Sequence, residues 1–409
     1  LTAHWIDNDW KLNKRILNFC PIPSHKGDEL GRAVERCLVE WGIENVFTIT
    51  VDNASSNDTM IAYLKKRLNN WNGTMLHGKY LHMRCIAHIV NLIVNDGIKE
   101  LGSSVARVRS AVKYVRSSPS RLQKFKNCVE IEKIEWSKTS CMNVPTRWNS
   151  TYLMLNTACK YERAFERYGD EDPFFRNQVL SGNGNNEMPS EDDWTNARRL
   201  CTFLEKFYEL TLHISDSLYI LRSSFLHEIS NVACELIDQQ ESGDLELRNI
   251  AHKMQEKFDK YWGSWEKTNM LIYIAVLLDP RYKEQYVQFV LELRYGASES
   301  LEKMKIVKEA ASLLFNDYKI RYESSNEQSS EMAQSSSNIA NVSSSSSQSL
   351  DVRSRFKRMR AGVGGEETKT ELEKFLCEDA EDDLSTFNIL EYWKVNSSRF
   401  PILHRMVRD

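Results

Sequence analysis

Through the first 85 residues, apolar positions come in short strand-like runs broken by polar turns; beyond them they recur mostly at three- and four-residue intervals. Residues 1–6 and 15–19 read as two strands joined by the turn-prone Asp7, Asn8 and Asp9. Leu30, Ala33, Val34, Cys37, Leu38 and Trp41 then mark a helix, with Asp28 as its expected N-cap and Gly42 as its stop. A strand over 46–52 ends on Asp52, and Met60, Ile61, Leu64 and Leu68 predict a helix over 56–68. A short strand at 80–84 leads into residues 86–98, which are apolar on nearly all sides and so read as a buried helix.

Helical periodicity continues over 105–115 and after Trp148 through Tyr152, Leu155, Cys159 and Phe165. Around 169–189 the composition turns to Gly, Asn, Asp and Glu, a boundary signal, and Ser190 with Asp193 resembles a capping box. Nearly all of 194–322 then reads as amphipathic helix. Residues 323–350 are polar and low in complexity, with five consecutive serines at 343–347, and cannot bury enough apolar surface to fold. An apolar pattern restarts at 371–376 and 387–393, in a piece too short to fold alone.

Composition narrows the options. At 409 residues and 41% apolar the chain can bury a sizeable core, and two or three units are expected. A net charge of −3 argues against uniform polycation binding, so any nucleic-acid contact must be local. Nine cysteines without regular close spacing predict reduced intracellular thiols, and the longest apolar run, 270–278, is too short to span a bilayer.

Four features carry candidate chemistry. Asp52 places a carboxylate on the end of a strand, where open α/β sheets put their sites; an Asx turn is the alternative. Cys85 and His88 make half of a zinc site, but no matching pair follows, so no zinc site is expected and a place in the core stays open. Between Val105 and Lys126, seven cations (Arg107, Arg109, Lys113, Arg116, Arg121, Lys124 and Lys126) occur with no acidic residue, which suits phosphate binding or a solvated face. Trp148 beside Arg147 suits base stacking or core packing. A second basic cluster, Arg353, Arg355, Lys357, Arg358 and Arg360, suits a nuclear-import signal or plain solubility.

Six ordered motifs carry a family resemblance: the stretch from Leu1 to Asp7; Thr50-Val51-Asp52-Asn53; Arg84-Cys85-Ile86-Ala87-His88; Pro145-Thr146-Arg147-Trp148-Asn149-Ser150; Leu278-Asp279-Pro280-Arg281-Tyr282-Lys283; and Ile389-Leu390-Glu391-Tyr392-Trp393 with Phe400-Pro401-Ile402-Leu403. The chain resembles hAT-superfamily transposases, in the plant branch of BED zinc-finger proteins that includes daysleeper and ricesleeper proteins. The resemblance implies an α/β plus all-α chain, a ribonuclease H-like mixed sheet interrupted by a large all-α insertion domain. Its expected parts are a core over 1–168 whose first strand lies upstream, an all-α insertion region at 190–322, a Ser-rich and basic linker at 323–368, and the start of a dimerisation region at 369–409.

The resemblance also implies site roles. Asp52 would be the middle of three carboxylates that hold Mg²⁺ for two-metal phosphoryl transfer, the first Asp lying before Leu1 and the final Glu after Leu403. Arg84, Cys85 and His88 would handle the DNA end, and Arg147 with Trp148 an extruded base; the one-signed charge of the basic run, not the resemblance, is what puts Arg107, Arg109, Lys113 and Arg116 on the duplex. The expectation is a nuclear protein that binds double-stranded DNA, carries no complete triad or BED finger within these residues, uses Mg²⁺ only if a longer parent is active, self-associates through its C-terminal region and contacts no membrane. The alternative is a fragment of an active cut-and-paste transposase.

Overall fold

Thr2–Ile6 (β1) and Leu12–Ile16 (β2) pair antiparallel, Thr2 opposite Ile16 and Ile6 opposite Leu12. This computed structural model describes residues 1–19, 21–22, 24–136, 147–175, 188–215, 223–335, 369–384 and 386–409. Asp7 shapes the hairpin loop: its Oδ1 accepts the amides of Asp9 (3.0 Å) and Lys11 (2.9 Å), and its Oδ2 accepts Asn13 Nδ2 (2.8 Å). The bonds from Lys11 and Asn13 hold its carboxyl below the usual range. Trp10, left-handed at φ 62°, tucks into the core. This loop sets the register, so the second strand runs over Leu12–Ile16 instead of the expected 15–19, and Phe19 is exposed.

Helix α1, Gly27–Glu40, stops where expected, with Gly42 left-handed at φ 63°. Its expected N-cap, Asp28, lies instead in the first turn. Ile49–Val51 (β3), Ser55–Asn70 (α2) and His82–Arg84 (β4) form a strand–helix–strand unit. The Ile49 amide donates to Leu81 O (2.6 Å) and the Cys85 amide to Val51 O (2.8 Å), so the two strands advance in the same direction. Both are shorter than expected. Among the described residues the strands pair as two separate two-stranded sheets, β1 with β2 and β3 with β4.

The remainder is helical: α3 (Ile86–Glu100), α4 (Gly102–Arg116), α5 (Pro119–Ile131), α6 (Trp148–Lys160), α7 (Glu162–Glu171), α8 (Glu191–Ser215), α9 (Ser223–Gln240), α10 (Leu245–Phe258), α11 (Leu271–Leu277), α12 (Lys283–Ser335, broken at Gly296), α13 (Glu371–Cys377), α14 (Ile389–Val395) and α15 (Leu403–Arg408). No helix among the described residues is long and apolar enough to cross a membrane. The chain divides into two compact units: Leu1–Ile49, Asp58–His82 and Met270–Asp409 in one, Thr50–Asn57 and Met83–Asn269 in the other.

In the second unit α3 is the central helix. Ile89, Val90, Ile93 and Val94 are at most 1% exposed, each burial contributing about 1.5–3 kcal/mol. Gly97 lets α10 approach, since a Cβ there would meet Met254 Sδ at 2.5 Å. The capping box read from Ser190 and Asp193 forms: the Asp193 amide donates to Ser190 Oγ (3.3 Å) and the Ser190 amide to Asp193 Oδ2 (2.9 Å). Asp193 also binds Arg107 through both carboxylate oxygens, at 2.7 and 2.8 Å.

In the first unit a turn after α11 ties down the C-terminal segment. Asp279, fully buried, accepts Arg281 Nε (3.0 Å), Nη2 (2.8 Å) and the Arg281 amide (3.1 Å). Arg281 Nη1 and the Tyr282 hydroxyl reach the two oxygens of Asp383. Lys283 Nζ donates to the carbonyls of Phe375, Glu378 and Asp379 at 2.9–3.0 Å, satisfying acceptors at the end of α13. Burial holds the Lys283 amine below its usual range. Phe375, Trp393 and Phe400 form the core of this segment, with ring centroids 4.9–6.1 Å apart.

Candidate functional site

The run Ile49–Val51 ends in a turn built on Asp52. Its carboxylate Oδ1 accepts the Ala54 amide (2.9 Å) and Asn57 Nδ2 (2.6 Å), an Asx arrangement that starts α2. Asp52 is exposed. Its neighbour Asn53 accepts Arg84 Nη1 at 2.9 Å, while Asn53 Nδ2 is buried without a hydrogen-bond partner. Cys85 is the N-cap residue of α3, and its amide bonds Val51 O. The two motifs read from the sequence, around Asp52 and around Cys85, therefore meet at the ends of adjacent strands. His88 follows one turn into α3, half-buried.

Asp58 lies in the first turn of α2, and its carboxylate is 3.8 Å from His82 Nδ1. Among the described residues, no group of three or more His, Cys, Asp or Glu side chains is arranged to hold a metal ion.

The basic run divides by face. Arg107, expected on the duplex, is turned inward onto Asp193: its side chain is 21% exposed and its partner 2%. Burial would raise the Asp193 carboxyl, but bonds from Arg107, Ser190 and Ser104 overcome it and hold the group at about 2. Arg109 is half-buried between α4 and α6, with Nη2 3.4 Å from Thr151 Oγ1 and its Nε without a partner. Burial lowers its guanidinium below the usual range. Lys113 and Arg116, three residues apart on the last turn of α4, are exposed, as is Lys124 on α5. Arg121 stacks over Tyr114 at 3.9 Å and Lys126 over Trp136 at 5.1 Å.

Of the two roles open to Trp148, core packing is the one this structure displays: the indole is 2% exposed and packs near Tyr152 at the start of α6. Its apolar neighbours on α6, Met154 and Leu155, are buried with it; Arg147, the N-cap residue, is exposed. Pro145, Thr146 and the basic cluster from Arg353 to Arg360 lie outside the described residues. The turn at Asp279, Arg281 and Lys283 carries no predicted role, although its Asp-Pro-Arg spacing is the signal of a tight, self-bonded turn.

Comparison with known proteins covers the whole chain. The ZBED1 RNase-like domain family matches residues 1–80, the ZBED1 RNase-like helical domain 83–203, the hAT-like transposase RNase-H fold 223–318 and the hAT family C-terminal dimerisation region 371–409. Zinc finger BED domain-containing protein RICESLEEPER 2 of Oryza sativa subsp. japonica is 32% identical over 100% of this chain and 56% of its own length. A putative AC transposase of Zea mays is 29% identical (100% and 49%), and zinc finger BED domain-containing protein DAYSLEEPER of Arabidopsis thaliana 27% (100% and 55%). The chain thus spans about half the length of the curated relatives it matches.

Proposed function

The chain belongs to the hAT superfamily, and from that premise we propose that it is a transposase-derived, double-stranded-DNA-binding protein of the nucleus. One observation carries the reading: Lys113, Arg116 and Lys124 remain exposed on α4 and α5 after the structure has withdrawn Arg107 into an ion pair. Exposed cations that meet phosphates release counterions, which makes binding salt-dependent and largely indifferent to sequence.

The test measures duplex binding at several salt concentrations. Each of Lys113→Ala, Arg116→Ala and Lys124→Ala should lower the slope of log K against log salt by about one, and Arg107→Gln should leave it unchanged. Equal slopes in all four variants would remove the proposed surface.

A second reading, a piece of a cut-and-paste nuclease, is favoured by Asp52: an exposed carboxylate on a strand end, beside Asn53, which accepts Arg84. It takes β1 to β4 as parts of one ribonuclease H-like mixed sheet. Metal-dependent nicking of terminal-repeat DNA, abolished by Asp52→Asn, would replace the first reading with this one. Self-association through residues 371–409 belongs to either reading, and sedimentation of the chain with and without that segment tests it.

A further inference from the structure

Helix α8 runs antiparallel to α6 and α7, and its contacts follow a ladder. Tyr152 faces Tyr208, with ring centroids 4.8 Å apart. Ten residues along the first side, Glu162 pairs with Arg198, ten residues back along the other. Phe165 then meets Trp194 at 5.6 Å. Between the first two rungs, seven residues on from Tyr152 and seven back from Tyr208, stand Cys159 and Cys201.

Both cysteines are half-buried and neither is in a disulfide. Helices in contact run about 8–10 Å apart and carry Cα about 2.3 Å from each axis. Facing positions can therefore bring Cα atoms to about 3.4–5.4 Å, a range that overlaps the roughly 4.4–6.8 Å a disulfide spans.

We propose that Cys159 and Cys201 form a redox site at which a peroxide converts the facing thiols into an intrachain disulfide joining α6 to α8. The surroundings distinguish the two sulfurs. The Cys201 thiol donates to Cys159, and Arg198 lies close enough to help, so Cys159 is held toward its thiolate form; Cys201 is pushed up by that bond, by burial and by Glu205. Cys128 provides the contrast, buried beside Glu171 with its thiol pushed up to about 11.

The chemistry balances with peroxide as the oxidant. Cys159 sulfur attacks a peroxide oxygen; an S–O bond forms, the O–O bond breaks, and the departing hydroxide takes up a proton as water. Cys201 sulfur then attacks the sulfenic sulfur; an S–S bond forms, the S–O bond breaks, and the second hydroxide leaves with the Cys201 proton as water. Two thiols are oxidised and one peroxide is reduced.

The test treats the full reduced chain with hydrogen peroxide, blocks remaining thiols by alkylation and maps peptides without reduction. The expected product is lighter by two hydrogens and yields one cross-linked peptide pair containing Cys159 and Cys201. In Cys201→Ser the reaction should stop at a Cys159 sulfenic acid that dimedone traps, and trapping should be slower in Cys201→Ala, which cannot donate to the sulfur. Alkylated Cys159 and Cys201 after the exposed Cys377 has been oxidised would overturn the proposal, as would a disulfide from either to another cysteine or to a second chain. If the variants do not fold, the map of the unchanged chain decides alone.

Discussion

Two aspartates stand just beyond the ends of secondary-structure elements, Asp52 after β3 and Asp279 after α11, and they are used in opposite ways. Asp52 is exposed and accepts from Ala54 and Asn57, groups within its own turn. Asp279 is fully buried and holds a guanidinium that also reaches Asp383, more than a hundred residues away. Both lie in motifs that carry the family resemblance, so membership of such a motif does not separate chemistry from architecture. Solvent access and the reach of the partners do: a carboxylate that binds only its own turn can be spared, whereas one that neutralises a buried cation cannot.

The comparison is broken most directly at Asp279. Replacing it with Ala leaves the Arg281 guanidinium without its buried partner and should cost about 3–5 kcal/mol, read as a lower urea midpoint of the unit containing α11 to α15. A loss below about 1 kcal/mol would mean that Asp383 alone holds the arginine. Next in size is acid sensitivity from Asp193, a carboxylate in the other unit that is buried and paired as Asp279 is. Its folded value of about 2 lies below its unfolded value near 3.8, so it contributes stability above about pH 4, and that contribution is lost as pH falls through about 2. The difference corresponds to about 2 kcal/mol; Arg107→Gln should flatten that limb of an acid-unfolding curve. The smallest effect belongs to Asp52→Asn, which keeps an acceptor for the Ala54 amide and should shift stability by no more than about 0.5 kcal/mol. A loss above 2 kcal/mol would show that the exposed turn is as structural as the buried one.

What was legible in the sequence was local. The stop of α1 at Gly42, the Ser190–Asp193 capping box and the strand–turn–helix around Asp52 rest on residues within a few positions of one another, and each formed. The second strand slipped because the Asp7 loop and the burial of Trp10 set the hairpin register, a tertiary effect that alternation does not carry. Arg107 and Trp148 were read as DNA contacts because a charge and an aromatic ring look the same in sequence whether they face outward or inward. Asp193, 86 residues from Arg107, turns the first inward; the apolar face of α6 buries the second. The clasp of Lys283 on three carbonyls 92 to 96 residues away had no sequence signal beyond its turn.

The ladder between α6, α7 and α8 has a consequence for how this stretch can change by mutation. A point substitution alters one rung. One added or deleted codon between Tyr152 and Glu162, or between Arg198 and Tyr208, turns everything beyond it by about 100°, so the tyrosine pair, the thiol pair and the ion pair can no longer all face each other. The two stretches behave as a frame with a fixed phase: open to exchange of letters, closed to changes of length.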